Sequence, residues 1–125
     1  MPARQNLAHQ GEKALNFIKT IIKKRYMEPK KLLEVFDRMV TPILCYGADI
    51  WGYEICDSIE KVHVKWCKYI LGVSSTTPTP AVLGELGRVP LYVIHTMKCI
   101  KFWCKIIEMS SERLPKSCYR VLYNL

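Results

Sequence analysis

VTPILCYGADIWGYEICDSIEKVHVKWCKYILGV, Val40 to Val73, decides the reading of this 125-residue chain, because it holds two of the three tryptophans and the sharpest helix punctuation. At about 100° per residue, Leu32, Leu33, Phe36, Met39, Val40, Ile43, Leu44, Gly47, Ile50 and Trp51 fall on one half of a helical wheel, and Glu34, Asp37, Arg38, Thr41 and Asp49 on the other. The phase does not slip at Pro42. A proline inside a helix deletes one backbone hydrogen bond and crowds the preceding turn without necessarily ending the helix. The pattern therefore predicts one helix, kinked at Pro42 and running to about Gly52. Beyond it, Asp57 or Ser58 offers an N-cap and Gly72 a stop for a third helix. On that helix Ile59, Val62, Trp66 and Ile70 point one way, and Lys61, Lys65 and Lys68 nearly the opposite way.

Working outward, Leu7 to Tyr26 reads as a first amphipathic helix. Ala14, Leu15, Phe17, Ile18, Ile21, Ile22 and Tyr26 form its apolar side, and Gly11 is expected to weaken its first turns. Pro29 is placed to open the kinked helix and Thr79-Pro80 a short one ending near Gly87. Glycines 84 and 87 predict a tight turn or a close backbone approach, but GELG is not a phosphate-binding fingerprint. Pro90 opens a fifth helix. There Val93, Met97, Ile100, Cys104 and Ile107 form one face, while Phe102, Trp103 and Ile106 fill much of the rest. Only the strip Lys98, Lys101, Lys105 is polar, so this helix is expected to be the most buried.

The predicted fold is all-α: an irregular bundle of about five to six helices with a proline-kinked central helix. The chain divides into a first basic amphipathic helix (1–28), the kinked helix (29–56), the third helix (57–73), a loop with a short helix (74–90), the buried fifth helix (91–109) and a tail (110–125) that starts another helix at Pro115. No repeat of solenoid length is present.

Nineteen Lys and Arg against eleven Asp and Glu give a net charge of +8, which attracts polyanions, nucleic acid before anionic membrane. The charge is uneven: residues 1–31 carry eight basic and two acidic side chains, 32–60 one and six, and 98–125 six and two. No apolar run has the length of a signal-peptide core or of a membrane span. An intracellular location, cytoplasmic or nuclear, is the expectation. With it goes a reduced state for Cys45, Cys56, Cys67, Cys99, Cys104 and Cys118, read as small and largely buried thiols.

The candidate nucleic-acid contacts are Lys19, Lys23, Lys24 and Arg25 on the first helix, Lys61, Lys65 and Lys68 on the third, and Lys98, Lys101 and Lys105 on the fifth. Lysine stripes of this kind fix a phosphate backbone without reading sequence. The run 23–25 also complements the negative end of a helix dipole. His63 with Cys67 and His95 with Cys99, each four apart, would make a Cys₂His₂ zinc site only if two helices met there, and the spacing is not that of a zinc finger. No metal or cofactor is assigned. Asp49, Glu54, Asp57 and Glu60 are read as capping or dipole carboxylates, since no Asp-Asp pair for two-metal nucleotidyl transfer is present.

Three segments carry a resemblance: KLLEVFDRMVTPILCYGADIWG (31–52), IEKVHVKWCKYILGVSSTTPTPAVLGELGRVPL (59–91) and IKFWCKII (100–107). In this order they resemble the region downstream of the polymerase palm in reverse transcriptases of non-LTR, LINE-type retrotransposons, over most of the chain from about Ala8 to about Ile107. The resemblance implies a thumb-like helical connection that grips template and primer or the element's own RNA. The palm motif with paired aspartates, the endonuclease and the Cys-His knuckle of some relatives have no counterpart here. The implied function is therefore a non-catalytic fragment of an RNA-directed DNA polymerase that binds RNA or an RNA–DNA hybrid through the backbone. The alternative is a helical interaction module that docks a partner or the missing palm.

Overall fold

A computed structural model describes residues 2–22 and 27–124. Among them every regular element is helical, and the expected all-α bundle is what the chain forms: α1 (Pro2–Ile22), α2 (Pro29–Met39), α3 (Thr41–Leu44), α4 (Ala48–Trp51), α5 (Asp57–Leu71), α6 (Thr79–Leu86), α7 (Leu91–Glu108) and α8 (Leu114–Tyr123).

α1 begins earlier than its sequence pattern predicts. Arg4 is buried, pairs with Glu54 and lies over the Trp51 ring, which ties down the first turn. Its buried positions Arg4, Ala8, Gly11, Leu15 and Ile18 repeat every three or four residues, a narrow seam of the coiled-coil kind. Phe17 and Ile21, expected inside, are 61 % and 53 % exposed, because a seam that narrow has no room for them. Gly11 does not fray the helix; a Cβ there would sit 2.6 Å from a methyl of the buried Leu44, so glycine is what lets α1 and α3 approach.

The helix is interrupted just before Pro42. Val40 alone separates α2 from α3 and keeps right-handed backbone angles, with its N–H on the Phe36 carbonyl. The predicted continuation to Gly52 fails five residues later. Gly47 has φ +71°, which no right-handed helix contains, and the chain turns there before α4. Ile50, phased as a core residue on an unbroken helix, is consequently 74 % exposed.

α5 keeps its predicted polarity. Ile59, Val62 and Trp66 are buried and Ile70 is half-buried, while Lys61 and Lys65 are exposed. Cys56 rather than Asp57 or Ser58 occupies the N-cap, without a side-chain cap. At the other end Gly72 is left-handed (φ +66°) and the Val73 N–H returns to the Lys68 carbonyl, a glycine-dependent stop. Gly87 ends α6 the same way, whereas Gly84 faces open space and mediates no close approach.

Trp66 sits at the centre. It stacks on Phe36 at 6.3 Å between ring centroids, and its indole N–H donates to the Leu32 carbonyl at 3.2 Å, so a fully buried donor is satisfied. Leu15, Ile18, Val40, Leu44, Ile59 and Leu91 complete the cluster, each contributing about 1.5–3 kcal/mol by burial. Contacts of Glu12 with Lys65 and of Lys19 with Tyr69 show α1 and α5 running parallel, and Leu32 beneath Trp66 with Phe36 beside His63 shows α2 antiparallel to both. Cys67, Val82 and Leu83 form a smaller cluster that holds α6 on α5. α4 lies against α7, where a Cβ on Gly52 would meet the His95 carbonyl oxygen at 2.5 Å.

Two expectations fail at the C-terminal side. α7 is not the most buried helix: only Leu91 and His95 are buried on it, since α4, α5 and α8 pack against parts of it and leave Met97, Ile100, Trp103 and Ile107 exposed. α8, present where a tail helix was predicted, has no buried residue at all.

Candidate nucleic-acid interface

The outer face of α5 forms one wall of a groove of about 610 Å³ whose lining includes Ile55, Lys61, Val64, Lys65, Lys68 and Tyr92. The lysines stand one helical turn apart along this wall, at intervals of about 6 and 4.5 Å of helix rise. The same lining holds the carboxylates of Asp57 and Glu60 and the hydroxyls of Ser75 and Thr79, with Leu83 and Pro90 adding apolar surface, so the groove sets three lysines beside two acidic groups over a partly aliphatic floor. Lys65 Nζ is 2.6 Å from Glu12 Oε1, and that hydrogen bond, with the lysine's charge, holds the Glu12 carboxyl below its usual range. Lys68 Nζ donates to the Ser75 carbonyl at 2.8 Å, pinning the polar loop that follows α5.

Because α1 runs parallel to α5, their carboxyl ends lie at the same end of the bundle. Lys19 Nζ is 4.7 Å from the centre of the Tyr69 ring there. Lys23, Lys24 and Arg25 lie outside the described residues. The structure thus brings Lys19 to the neighbourhood of the α5 stripe.

It does not bring the third set. On α7, Tyr92 lies about 60° to one side of the buried His95, and Lys98, Lys101 and Lys105 lie roughly 60–120° to the other side. Burial raises the Cys45 pKa against the opposing pull of nearby Lys98, and the same lysine adds to burial in disfavouring the His95 imidazolium. The three lysines are exposed, on the flank of α7 facing away from the groove.

The histidine–cysteine pairs do not meet either. His63 Nε2 accepts from the Arg88 guanidinium at 3.3 Å, and its ring lies 5.4 Å from that of Phe36. His95 lies edge-on to Trp51 at 4.9 Å, beside Cys99, whose Sγ donates to the Ala48 carbonyl at 3.0 Å. Among the described residues no three His, Cys, Asp or Glu side chains cluster as metal ligands would. Burial, then the Arg88 charge, pushes the His63 pKa down to about 4, and burial pushes the Cys67 thiol up to about 11. Burial and then Lys98 lower His95. All six cysteines are unpaired thiols, but Cys104 and Cys118 are exposed rather than buried as expected.

Several structural polar residues went unread in the sequence. Arg88 makes two 2.7 Å hydrogen bonds to the Asp37 carboxylate, donates to His63 and lies over the Phe36 ring, which fastens the α6–α7 connection to α2. Glu60 receives the N–H groups of Leu91 and Tyr92 and so caps α7 from α5; burial raises its pKa against the pull of those bonds. One signal for this existed: no capping side chain immediately precedes Leu91, so the cap had to come from elsewhere. Glu54, read as a capping or dipole carboxylate, is instead the partner of Arg4.

Comparison with protein-family models, with curated proteins and with solved structures gives no match. Among the described residues no helix is long and apolar enough to cross a membrane.

Proposed function

We propose that this chain is a non-catalytic helical piece, similar to the post-palm region of a LINE-type reverse transcriptase, that holds RNA or an RNA–DNA hybrid by its phosphate backbone. The observation that carries the reading is the single groove lined by Lys61, Lys65 and Lys68 with Tyr92. Ammonium groups at successive turns suit a repeating phosphate, and an aromatic wall suits a nucleobase face, which every base offers. Lys19, at the same end, extends the cationic track. Of the two carboxylates along the groove, Glu60 is engaged in capping α7. The reading is one of grip, with bond-making left to a palm.

Backbone binding is read in its salt dependence. With three phosphates neutralised, log K should fall against log salt with a slope of about −2 on a single strand and about −3 on a duplex from this stripe alone. Replacing Lys61, Lys65 and Lys68 with glutamine should flatten the slope of the full chain on a labelled RNA by about that amount. A slope unchanged in the triple variant removes the groove from the interface. Glu12→Gln, which frees Lys65 from its carboxylate, should tighten binding at low salt.

A further inference from the structure

The segment 74–80 leads from α5 into the first turn of α6 and is rich in hydroxyls: Ser74, Ser75, Thr76, Thr77 and Thr79. Ser74 and Thr76 bond each other and shape the turn. Thr77 and Thr79 are each followed by proline. A hydroxyl directly before proline is the substrate signature of proline-directed protein kinases, and proline biases the residue before it towards the extended backbone that a kinase grips. Only one of the two threonines faces the α5 groove. Thr79 lines it, and the Thr79 hydroxyl has no hydrogen-bond partner among the described residues. Leu83, one turn further along α6, lines the groove as well and clusters with Cys67, the neighbour of Lys68. Thr79 therefore stands on the side of α6 that faces the carboxyl end of the lysine stripe.

That end of the stripe suits an anion. Lys65 already has Glu12, whereas the Lys68 ammonium donates to a neutral carbonyl, that of Ser75. The two carboxylates of the groove are remote from it. Glu60 and Asp57 precede Lys68 by about 12 and 16 Å of helix rise, beyond the roughly 8 Å over which exposed charges act at physiological salt. We infer that Thr79 is a phosphorylation site whose phosphate, held by Lys68, closes the α5 groove to nucleic acid. In the transfer a bond forms between Thr79 Oγ1 and the γ-phosphorus of ATP as the bond from that phosphorus to the β–γ bridging oxygen breaks; ADP leaves, and the hydroxyl proton passes to the base of the kinase. The product carries about two negative charges and three acceptor oxygens at neutral pH. It has the chemistry of the backbone phosphate it displaces, but it is tethered. The closing of the groove rests on the function proposed above; the modification and its pairing with Lys68 do not.

The test treats the full chain with a proline-directed kinase and ATP and maps the product by mass spectrometry. Thr79 should be modified in the wild type and in Thr77→Val, and the groove phosphate should be missing from Thr79→Val. In phosphorus NMR the second ionisation of phosphorylated Thr79 should lie below the ordinary value of about 6 and return towards it in Lys68→Gln. On a labelled single-stranded RNA, phosphorylation should weaken binding about tenfold at low salt and make the salt slope shallower by about 0.7, the share of one lysine. Kinase treatment should leave the RNA affinity of Thr79→Val unmoved. No phosphate on Thr79, modification confined to Thr77, a phosphorus titration indifferent to Lys68→Gln, or an RNA affinity equal before and after full phosphorylation overturns the inference. An unmodified chain that binds no RNA overturns the groove function and the closing of it together, whereas a Lys68-dependent titration in that same chain still supports the modification site.

Discussion

Acidification should loosen this bundle through His63. The imidazole is fully buried between Phe36 and Arg88, and its pKa stands at about 4 in the folded chain against an ordinary value of 6.5. In the folded state Nε2 accepts from Arg88, a role that protonation abolishes while placing a second cation beside the guanidinium. Between pH 6.5 and 4 the unfolded chain binds a proton at this site that the folded chain refuses, so stability falls as pH falls. The contribution is whole above pH 6.5 and lost below about 4. At about 1.4 kcal/mol for each tenfold change in equilibrium, the difference amounts to roughly 3 kcal/mol. His95, lowered by burial and by Lys98, acts in the same direction. Urea unfolding followed by circular dichroism from pH 7 to 4 measures the loss. His63→Gln, which retains an acceptor for Arg88 and cannot titrate, should flatten the curve by most of that amount. A folded-state His63 that titrates near 6.5 by NMR, or a His63→Gln variant with the wild-type pH dependence, refutes the reasoning.

Gly11→Ala should destabilise by about 1 kcal/mol, the crowding of Leu44 outweighing the better helix propensity; pairing it with Leu44→Val should recover much of the loss in urea unfolding. Glu60→Gln should cost about 1 kcal/mol and speed amide hydrogen exchange at Leu91 and Tyr92, because the acceptor pair that caps α7 is broken. Arg88→Lys, which keeps the charge but not the two-pronged bond to Asp37, should cost about 1–2 kcal/mol, and a double-mutant cycle with Asp37→Asn should show the two residues strongly coupled.

Local punctuation was legible. Pro29, Pro90, Gly72 and Gly87 mark helix ends through properties of their own backbones, and all four stand where the sequence puts them. The inner face of α5 was legible too, because Ile59, Val62 and Trp66 sit opposite a lysine stripe and only one side can face water. Gly47 was not. Its position suited the apolar half of an unbroken wheel, and a wheel assumes the right-handed angles that this residue abandons. The width of the α1 seam and the open side of α7 escaped for a different reason: hydrophobic pattern says which faces seek a neighbour, not how many neighbours the chain supplies. Of the candidate site, the α5 stripe and Lys19 converge as expected of a shared face. The α7 lysines diverge because the side of a helix that becomes the border of a groove depends on where its buried edge is anchored, here by His95 and Leu91.

The acidic middle of the sequence explains why the cationic groove survives folding. Of the six carboxylates between residues 32 and 60, Glu34 pairs with Arg38, Asp37 with Arg88, Glu54 with Arg4, and Glu60 with the amides that open α7. These bonds span as many as 51 residues, which is why periodicity could not reveal them, and they consume arginines, with their fixed fork of donors, rather than lysines. At the α5 stripe, Glu12 from outside this stretch pairs with Lys65, and Asp57 and Glu60 line the same groove. Three of these carboxylates, Asp37, Glu54 and Glu60, therefore tie distant parts of the chain together, while Asp49 and Asp57 stay exposed and the lysines remain on the outer surfaces of α5 and α7. A phosphate backbone approaching α5 meets the Glu12–Lys65 ion pair and the carboxylates of Asp57 and Glu60 beside the lysines. The lysines of α5 and α7 are the same residue type, but only those of α5 line a concave groove, while Lys98, Lys101 and Lys105 stand on the exposed flank of a single helix.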